Sequence, residues 1–219
     1  MKKAICLVSG GMDSGVTAAV SKSLGYGIYV LHVSYGQRTE QKELRCAKRV
    51  AGFYNARDFK HVGIDYLRDI GGSALTDEDM EVPGADLDSD EIPVTYVPFR
   101  NANLLSIAVS WAEVIGADAI FIGAHCEDFA GYPDCRPEFY DAFNRLIETG
   151  TKEKGIKVET PLMFMNKTEI VEKGIALGAP FELTWSCYKR EDVPCGECDS
   201  CVRRASAFKD AGYEDPLLF

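Results

Sequence analysis

A strand that breaks into two glycines and resumes as a helix constrains this chain more than any other feature. It is LVSGGMDSG, Leu7 to Gly15, set between the apolar run AICLV (4–8) and the helix-like GVTAAVSKSLG. Such a turn aims several backbone N–H groups and the positive end of a helix dipole at one point, which makes an anion site. Gly10 and Gly11 let the backbone approach phosphates and Ser9 and Ser14 offer hydroxyl donors. Asp13 is placed to cap the helix or to help hold Mg²⁺. A triphosphate suits this chemistry. No Lys follows the glycines where G-x-x-x-x-G-K-[ST] requires one, which disfavours an ordinary ATPase or kinase loop. The alternative is a glycine-rich β-α turn with a satisfied Asp cap and no ligand.

The apolar runs AICLV (4–8), IYVLHV (28–33) and AIFIGA (119–124) are separated by segments of helical spacing. That order predicts an α/β fold with a mostly parallel, twisted sheet and helices on both faces. Helices are expected within 101–116, where Leu104, Ala108, Trp111 and Ile115 recur above a stop at Gly116, and at 39–54 and 166–177. The last opens on Asn166 with Glu169 three residues on, the pattern of a capping box. With 219 residues, 46% of them hydrophobic, the chain can fill a proper core. After Pro180 the pattern turns short and cysteine-rich, so the expected division is 1–180 for the α/β domain and 181–219 for a small terminal subdomain.

The formal net charge of −10 is unevenly spread, because eight acids and no base lie between Asp77 and Glu91. With Pro83, Gly84 and Pro93 also present, this stretch reads as a solvated insertion or mobile flap, a divalent-ion site being the alternative. The remainder is nearly neutral and carries no basic footprint, so no nucleic-acid partner is expected. No stretch approaches the roughly 20 apolar residues of a membrane helix. The run after MKK is only five residues long, too short for a secretory signal, and a cytoplasmic location without membrane attachment is expected.

Eight cysteines in an unexported chain point to thiols or metal ligands. Cys187, Cys195, Cys198 and Cys201 form C-x₇-C-x-x-C-x-x-C, with Pro194 and Gly196 supplying tight turns. Four thiolates close a tetrahedral shell around a structural Zn²⁺, and an iron–sulfur cluster is the rival for such spacing. Cys6, Cys46, Cys126 and Cys135 are scattered, with small buried hydrophobe as the default.

Cys135 belongs to GAHCEDFAGYPDCRPEFYDAF (123–143), a loop expected at the C-terminal end of a strand, where open α/β sheets bind ligands. Asp128, Tyr132, Asp134, Arg136 and Glu138 there offer acceptors, an aromatic face and a cation, a set that suits a purine-like base; a surface loop with mutually paired charges is the alternative. In YVPFRNANLLS (96–106) and ETPLMFMNKTEI (159–170), Arg100 and Lys167 each sit at a helix start. A cation is unfavourable there unless an anion offsets it, so both are candidates to face phosphate. SYGQRTEQKE adds Gln37, Arg38 and Lys42 at the same sheet edge.

SGGMDS, Ser9 to Ser14, resembles the signature of the PP-loop ATP pyrophosphatases. SYGQR, VPFRN, GYPDCRPEF, TPLMFMNKTEIV and WSCY followed by CGECDSC extend the resemblance nearly end to end, to the 7-cyano-7-deazaguanine synthase family within that group. Thr39 stands where His is expected after YGQR, and Phe99 where Gly is commoner. The resemblance implies that the loop grips pyrophosphate while a substrate oxygen attacks the α-phosphorus. ATP would then be bound by Leu7, Val8, Ser9, Gly10, Gly11, Met12, Asp13, Ser14, Gly15, Val16 and Thr17, with His32 and Val33 near the adenosine. Asp13, Ser14, Arg100 and Lys167 would act in catalysis with Mg²⁺. The implied reaction converts 7-carboxy-7-deazaguanine and ammonia to 7-cyano-7-deazaguanine by two adenylations, in a homodimer. Rival readings are a tRNA-thiolating enzyme, which should need a basic face, an amide-forming ligase, and a zinc-stabilised nucleotide-binding module without turnover. A glutamine-dependent amidotransferase would need a glutaminase domain for which 219 residues leave no room, so ammonia would arrive free or from a partner.

Overall fold

The computed structural model describes residues 1–85, 92–125 and 132–217. Strands β1 (Lys3–Leu7), β2 (Gly27–Ser34), β3 (Asp58–Gly63), β4 (Ala119–Phe121) and β5 (Lys157–Glu159) form one parallel sheet in the order β3-β2-β1-β4-β5. Around it lie α1 (Met12–Ser23), α2 (Glu40–Phe53), α3 (Tyr66–Ile70), α4 (Arg100–Ile115), α5 (Pro137–Gly150), α6 (Lys167–Leu177) and α7 (Asp199–Asp210). The chain winds outward from β1 to β3, then returns to place β4 on the other side of β1. A cleft therefore opens between the C-terminal ends of β1 and β4, where the winding reverses.

Alternation of side chains explains why AICLV shows no polar period. Ala4 and Cys6 face one layer and Ile5 and Leu7 the other, and all four are buried. The first layer comprises Ala18 and Ala19 of α1 with Ala47 and Val50 of α2. The second comprises Leu105, Ala108, Trp111 and Ala112 of α4 with Tyr140, Phe143 and Ile147 of α5. Behind α1, Met12 and Val16 join Ile170 and Val171 of α6, Phe181, and Ala207 and Phe208 of α7 in a further cluster. This close approach requires Gly174, since a Cβ there would come within 2.3 Å of the Phe181 ring and 2.8 Å of Val16.

The parallel sheet, its three central strands and the helices expected at 39–54, 101–116 and 166–177 are all present, with ends moved by at most three residues. Asn166 accepts a hydrogen bond from Glu169 N at 2.9 Å and Glu169 returns one to Asn166 N at 2.8 Å, completing the capping box. α4 ends at Gly116 with φ 63. Two strands carry too weak a signal to read from sequence: the side chains of β3 are exposed or half-buried, and β5 buries only Val158. The stretch 123–143 differs from the expected loop, because Pro137 begins α5 and places Tyr140 and Phe143 in the core.

The acidic stretch is described through residue 85. Arg38 gathers it by donating to the carbonyls of Ala74 and Asp77 at 2.8 and 2.7 Å, and to that of Met80. Val82 is buried beside Trp185, Cys187, Cys198 and Cys201, and Ala85 N donates to Glu197 O at 3.0 Å. The other acids of the stretch, Asp86, Asp88, Asp90 and Glu91, lie outside the described residues. No helix of the described residues is long and apolar enough to cross a membrane.

Candidate active site

The cleft has a volume of about 260 Å³ and is walled by the β1–α1 loop, the segment after β2, the starts of α4 and α6, and the Trp185–Tyr188 strip. Its floor is the glycine turn. Gly10 has φ 94, a left-handed value that favours glycine, and a Cβ there would meet Glu43 O at 2.5 Å. Its carbonyl accepts from Trp185 N at 2.8 Å, so the cysteine-bearing segment buttresses the turn. α1 starts from Gly11 with no side-chain cap, which leaves the N-terminal N–H groups for an anion. Ser9 Oγ accepts from Gly11 N at 3.1 Å and donates to Ser14 Oγ at 3.2 Å, while Ser14 Oγ donates to Gly11 O at 2.9 Å.

Asp13 does not cap α1. Its Oδ2 accepts from Lys167 Nζ at 2.7 Å and lies 3.8 Å from His125 Nε2. The anion that offsets Lys167 in the first turn of α6 is therefore the protein's own carboxylate. Burial pushes the Asp13 carboxyl up, but Lys167 and His125 outweigh it and hold the group below the usual carboxylate value. Asp13 Oδ1 is buried and finds no partner among the described residues, leaving an acceptor for a cation or donor that arrives with ligand. Gly123, at the end of β4, permits this crowding, since a Cβ would meet Thr17 Oγ1 at 2.9 Å and the Asp13 carbonyl at 3.1 Å.

Across the cleft, Arg100 donates to Tyr35 OH at 3.3 Å with its guanidinium 5.5 Å from the Tyr35 ring centre, and its Nε lacks a partner among the described residues. Glu43, in the first turn of α2, accepts from Thr39 Oγ1 at 2.7 Å and from Gln37 Nε2 at 3.0 Å. Burial pushes its carboxyl up to about 7, against those hydrogen bonds and the charge of Arg100.

Of the residues expected around ATP, Leu7, Val8, Ser9, Gly11, Met12, Asp13, Ser14 and Val33 line the cleft. Gly10, Gly15, Val16 and Thr17 support it from behind: Gly15 packs against Thr184, and Val16 is in the core. His32 points to the opposite side of the sheet from Val33, where its Nδ1–H donates to Val8 O at 2.8 Å and burial depresses its pKa to about 4. Arg100 and Lys167 both line the cleft.

Among the residues expected to meet a base, Tyr132 lines the cleft, its OH 3.0 Å from Thr95 Oγ1. Asp134 accepts from Asn101 N at 2.8 Å and its carbonyl accepts from Asn101 Nδ2 at 3.0 Å, which fastens its turn to the start of α4. Arg136, the residue before α5, and Glu138, in its first turn, are exposed and do not line the cleft. Asp128 lies outside the described residues. Sequence reasoning gave no role to Tyr35, Glu43, Asn101, His125 or Ser186 of the wall. Only Glu43 carried a local signal, an acid one helical turn after the polar Thr39.

The sulfurs of Cys187, Cys195, Cys198 and Cys201 lie within 4.8 Å of one another, and Cys195 Sγ is 3.9 Å from Cys201 Sγ. Backbone N–H groups of Lys189 and Cys195 point at Cys187 Sγ, and that of Cys198 at Cys195 Sγ, each at 3.4 Å, as befits sulfurs that carry negative charge. This all-thiolate, closed set fits zinc. Behind it Arg204, buried, forms a two-pronged pair with Asp215 at 2.8 and 2.9 Å and donates to Thr184 Oγ1 at 2.8 Å and Ser186 Oγ at 3.3 Å. The cysteine segment and α7 are thereby tied to the strip that supports Gly10.

The chain is similar over nearly its whole length to known proteins. The family model described as queuosine biosynthesis protein QueC matches residues 3–212. A 7-cyano-7-deazaguanine synthase from Halobacterium salinarum is 52% identical over 219 residues, 100% of this chain and 96% of the relative. One from Chlorobium phaeovibrioides is 56% identical over 216 residues, covering 98% and 95% of the two chains. Among solved structures, the NH₃-dependent NAD synthetase from Campylobacter jejuni shares the fold at 16% identity and a TM-score of 0.50, over 83% of this chain and 66% of that one.

Proposed function

The chain belongs to the queuosine biosynthesis protein QueC family, and on that premise we propose that it is a carbon–nitrogen ligase making 7-cyano-7-deazaguanine from 7-carboxy-7-deazaguanine, ammonia and ATP. The observation that carries the reading is the Lys167–Asp13 pair, which brings TPLMFMNKTEI to the glycine turn at the point where the sheet reverses.

In this reading the substrate carboxylate attacks the α-phosphorus of ATP and pyrophosphate leaves. Ammonia then displaces AMP from the acyl-adenylate to give the amide. A second ATP adenylates the amide oxygen, and loss of AMP leaves the nitrile. The N-terminal N–H groups of α1 and the hydroxyls of Ser9 and Ser14 hold the departing pyrophosphate, and Lys167 neutralises charge as it develops. Arg100, whose Nε lacks a partner among the described residues, pairs with the substrate carboxylate or the adenylate, and Tyr132 offers a face to the base. Asp13, through Oδ1, would hold Mg²⁺, which supplies countercharge to the phosphates. The chemistry consists mainly of positioning and charge stabilisation, and no nucleophilic cysteine is needed. Cys187, Cys195, Cys198 and Cys201 would hold zinc in a structural part, fixing the Trp185–Tyr188 strip against the glycine turn. We also propose that residues 181–219 act as a zinc subdomain on the 1–180 body, and that the protein works as a homodimer.

Incubation with 7-carboxy-7-deazaguanine, ATP, Mg²⁺ and ammonium should release AMP and pyrophosphate and yield the nitrile. Release of inorganic phosphate as the direct product, or no conversion of the acid, would overturn the reading.

A further inference from the structure

All the protons of ammonia have left nitrogen by the time a nitrile forms, so the proposed reaction needs a proton acceptor at the nitrogen. Several titratable groups of the cleft wall are unsuited to that task. Asp13 is paired with Lys167, Arg100 and Lys167 are cations, and Cys187 belongs to the sulfur cluster. Glu43 differs from them.

The Glu43 carboxyl lines the cleft and is half-buried. Each of its oxygens accepts one side-chain hydrogen bond, from Thr39 and from Gln37, which leaves a lone pair on each for a visiting proton. Its partners are fixed in turn. Gln37 Oε1 accepts from Tyr35 N at 2.8 Å, and Thr39 O accepts from Glu43 N at 2.9 Å. Arg100 of α4 faces Glu43 with a positive charge, Glu40 of α2 adds a negative one, and Tyr35 and Cys46 are its neutral titratable neighbours. Burial leaves the group divided between its acid and base forms near neutrality, where an acceptor can both take and release a proton.

This inference rests on the ligase reading above. We propose that Glu43 is the proton acceptor for the nitrogen nucleophile. As the lone pair of ammonia forms the C–N bond, the C–O bond to AMP breaks with its electron pair and the Glu43 carboxylate takes a proton from nitrogen. It releases that proton to water and does the same with the two that remain: one leaves nitrogen as the amide oxygen becomes bonded to AMP, the other as the C–O bond to AMP breaks with its electron pair and the nitrile forms.

Two partial reactions separate this role from positioning. Acid-dependent exchange of labelled pyrophosphate into ATP, run without ammonia, reports the first adenylation. Amide formation at a fixed concentration of free ammonia reports the nitrogen step. Glu43→Gln should slow amide formation by about 100-fold more than it slows exchange. The wild type should show an acidic limb in amide formation near pH 7 that its exchange reaction lacks, and Glu43→Gln should lose that limb. Equal loss of both reactions in the variant would overturn the proposal, as would wild-type amide formation with the limb intact. If the variant does not fold, the wild-type profile decides alone: a flat rate of amide formation from about pH 6 to 8 excludes Glu43 as acceptor. Absence of acid-dependent exchange in the wild type would refute the ligase reading itself, and this inference with it.

Discussion

Lys167 Nζ and Asp13 Oδ2 stand 2.7 Å apart although 154 residues separate them in the chain. The contact joins the first turns of α6 and α1, so a cation at one helix start is balanced by a carboxylate at another. Lys167→Met should lower kcat/KM by about 100-fold, as expected for losing a cation aimed at developing charge. It should also cost about 2 kcal/mol of stability, because Asp13 keeps its burial and loses its main partner. Pyrophosphate release and thermal denaturation measure the two effects; full activity in the variant would refute the role.

Gly10→Ala should destabilise the protein by about 2 kcal/mol or more. The new Cβ must sit 2.5 Å from Glu43 O on a backbone with φ 94, and that carbonyl belongs to α2, which cannot easily retreat. Urea denaturation checks this, and an unchanged midpoint would contradict the close approach.

Purified protein should contain about one zinc ion per chain by elemental analysis and be colourless. Cys198→Ala should lose the metal and lower the melting temperature, because the closed sulfur shell anchors the strip that supports Gly10. A brown protein with iron in place of zinc would favour the cluster alternative.

The raised Glu43 carboxyl makes a signed prediction about pH and stability. Between its ordinary value of 4.5 and about 7 the folded protein holds a proton that the unfolded chain has released. Stability contributed by this group therefore falls as pH rises through that window, by about 2 kcal/mol after allowing for its partial exposure to water. Denaturation of wild type and Glu43→Gln at about pH 5 and 7.5 should show the variant gaining relative to wild type at the higher value. A constant difference would contradict the environment described for Glu43.

Arg204→Met should cost about 3 to 5 kcal/mol, since it strands Asp215 in the interior and releases Thr184 and Ser186. Part of that loss should reach the cleft as a raised KM for ATP, because the Thr184–Ser186 strip supports the glycine turn. Steady-state kinetics at saturating and limiting ATP separate the two consequences.

Local chemistry made several features legible in the sequence: the glycine turn, the capping box at Asn166, the Gly116 stop and the spacing of Cys187, Cys195, Cys198 and Cys201. Each is settled by residues within a few positions of one another, where backbone geometry and short hydrogen bonds act. The continuous apolar runs likewise disclosed a sheet buried on both faces. Features set by long-range packing were not legible. β3 and β5 take their conformation from hydrogen bonds to β2 and β4, and their own side chains bury too little to announce it. Pro137–Phe143 reads as a polar loop, yet Tyr140 and Phe143 turn inward only because α5 packs against β5. The bond from Asn101 N to the Asp134 carboxylate likewise forms only because the fold brings the start of α4 to that turn. The same reason governs the site: Asp13 with Lys167, Glu43 with Gly10, and Arg204 with Thr184 are neighbours only because helices from distant parts of the chain converge on the strand ends where the sheet reverses.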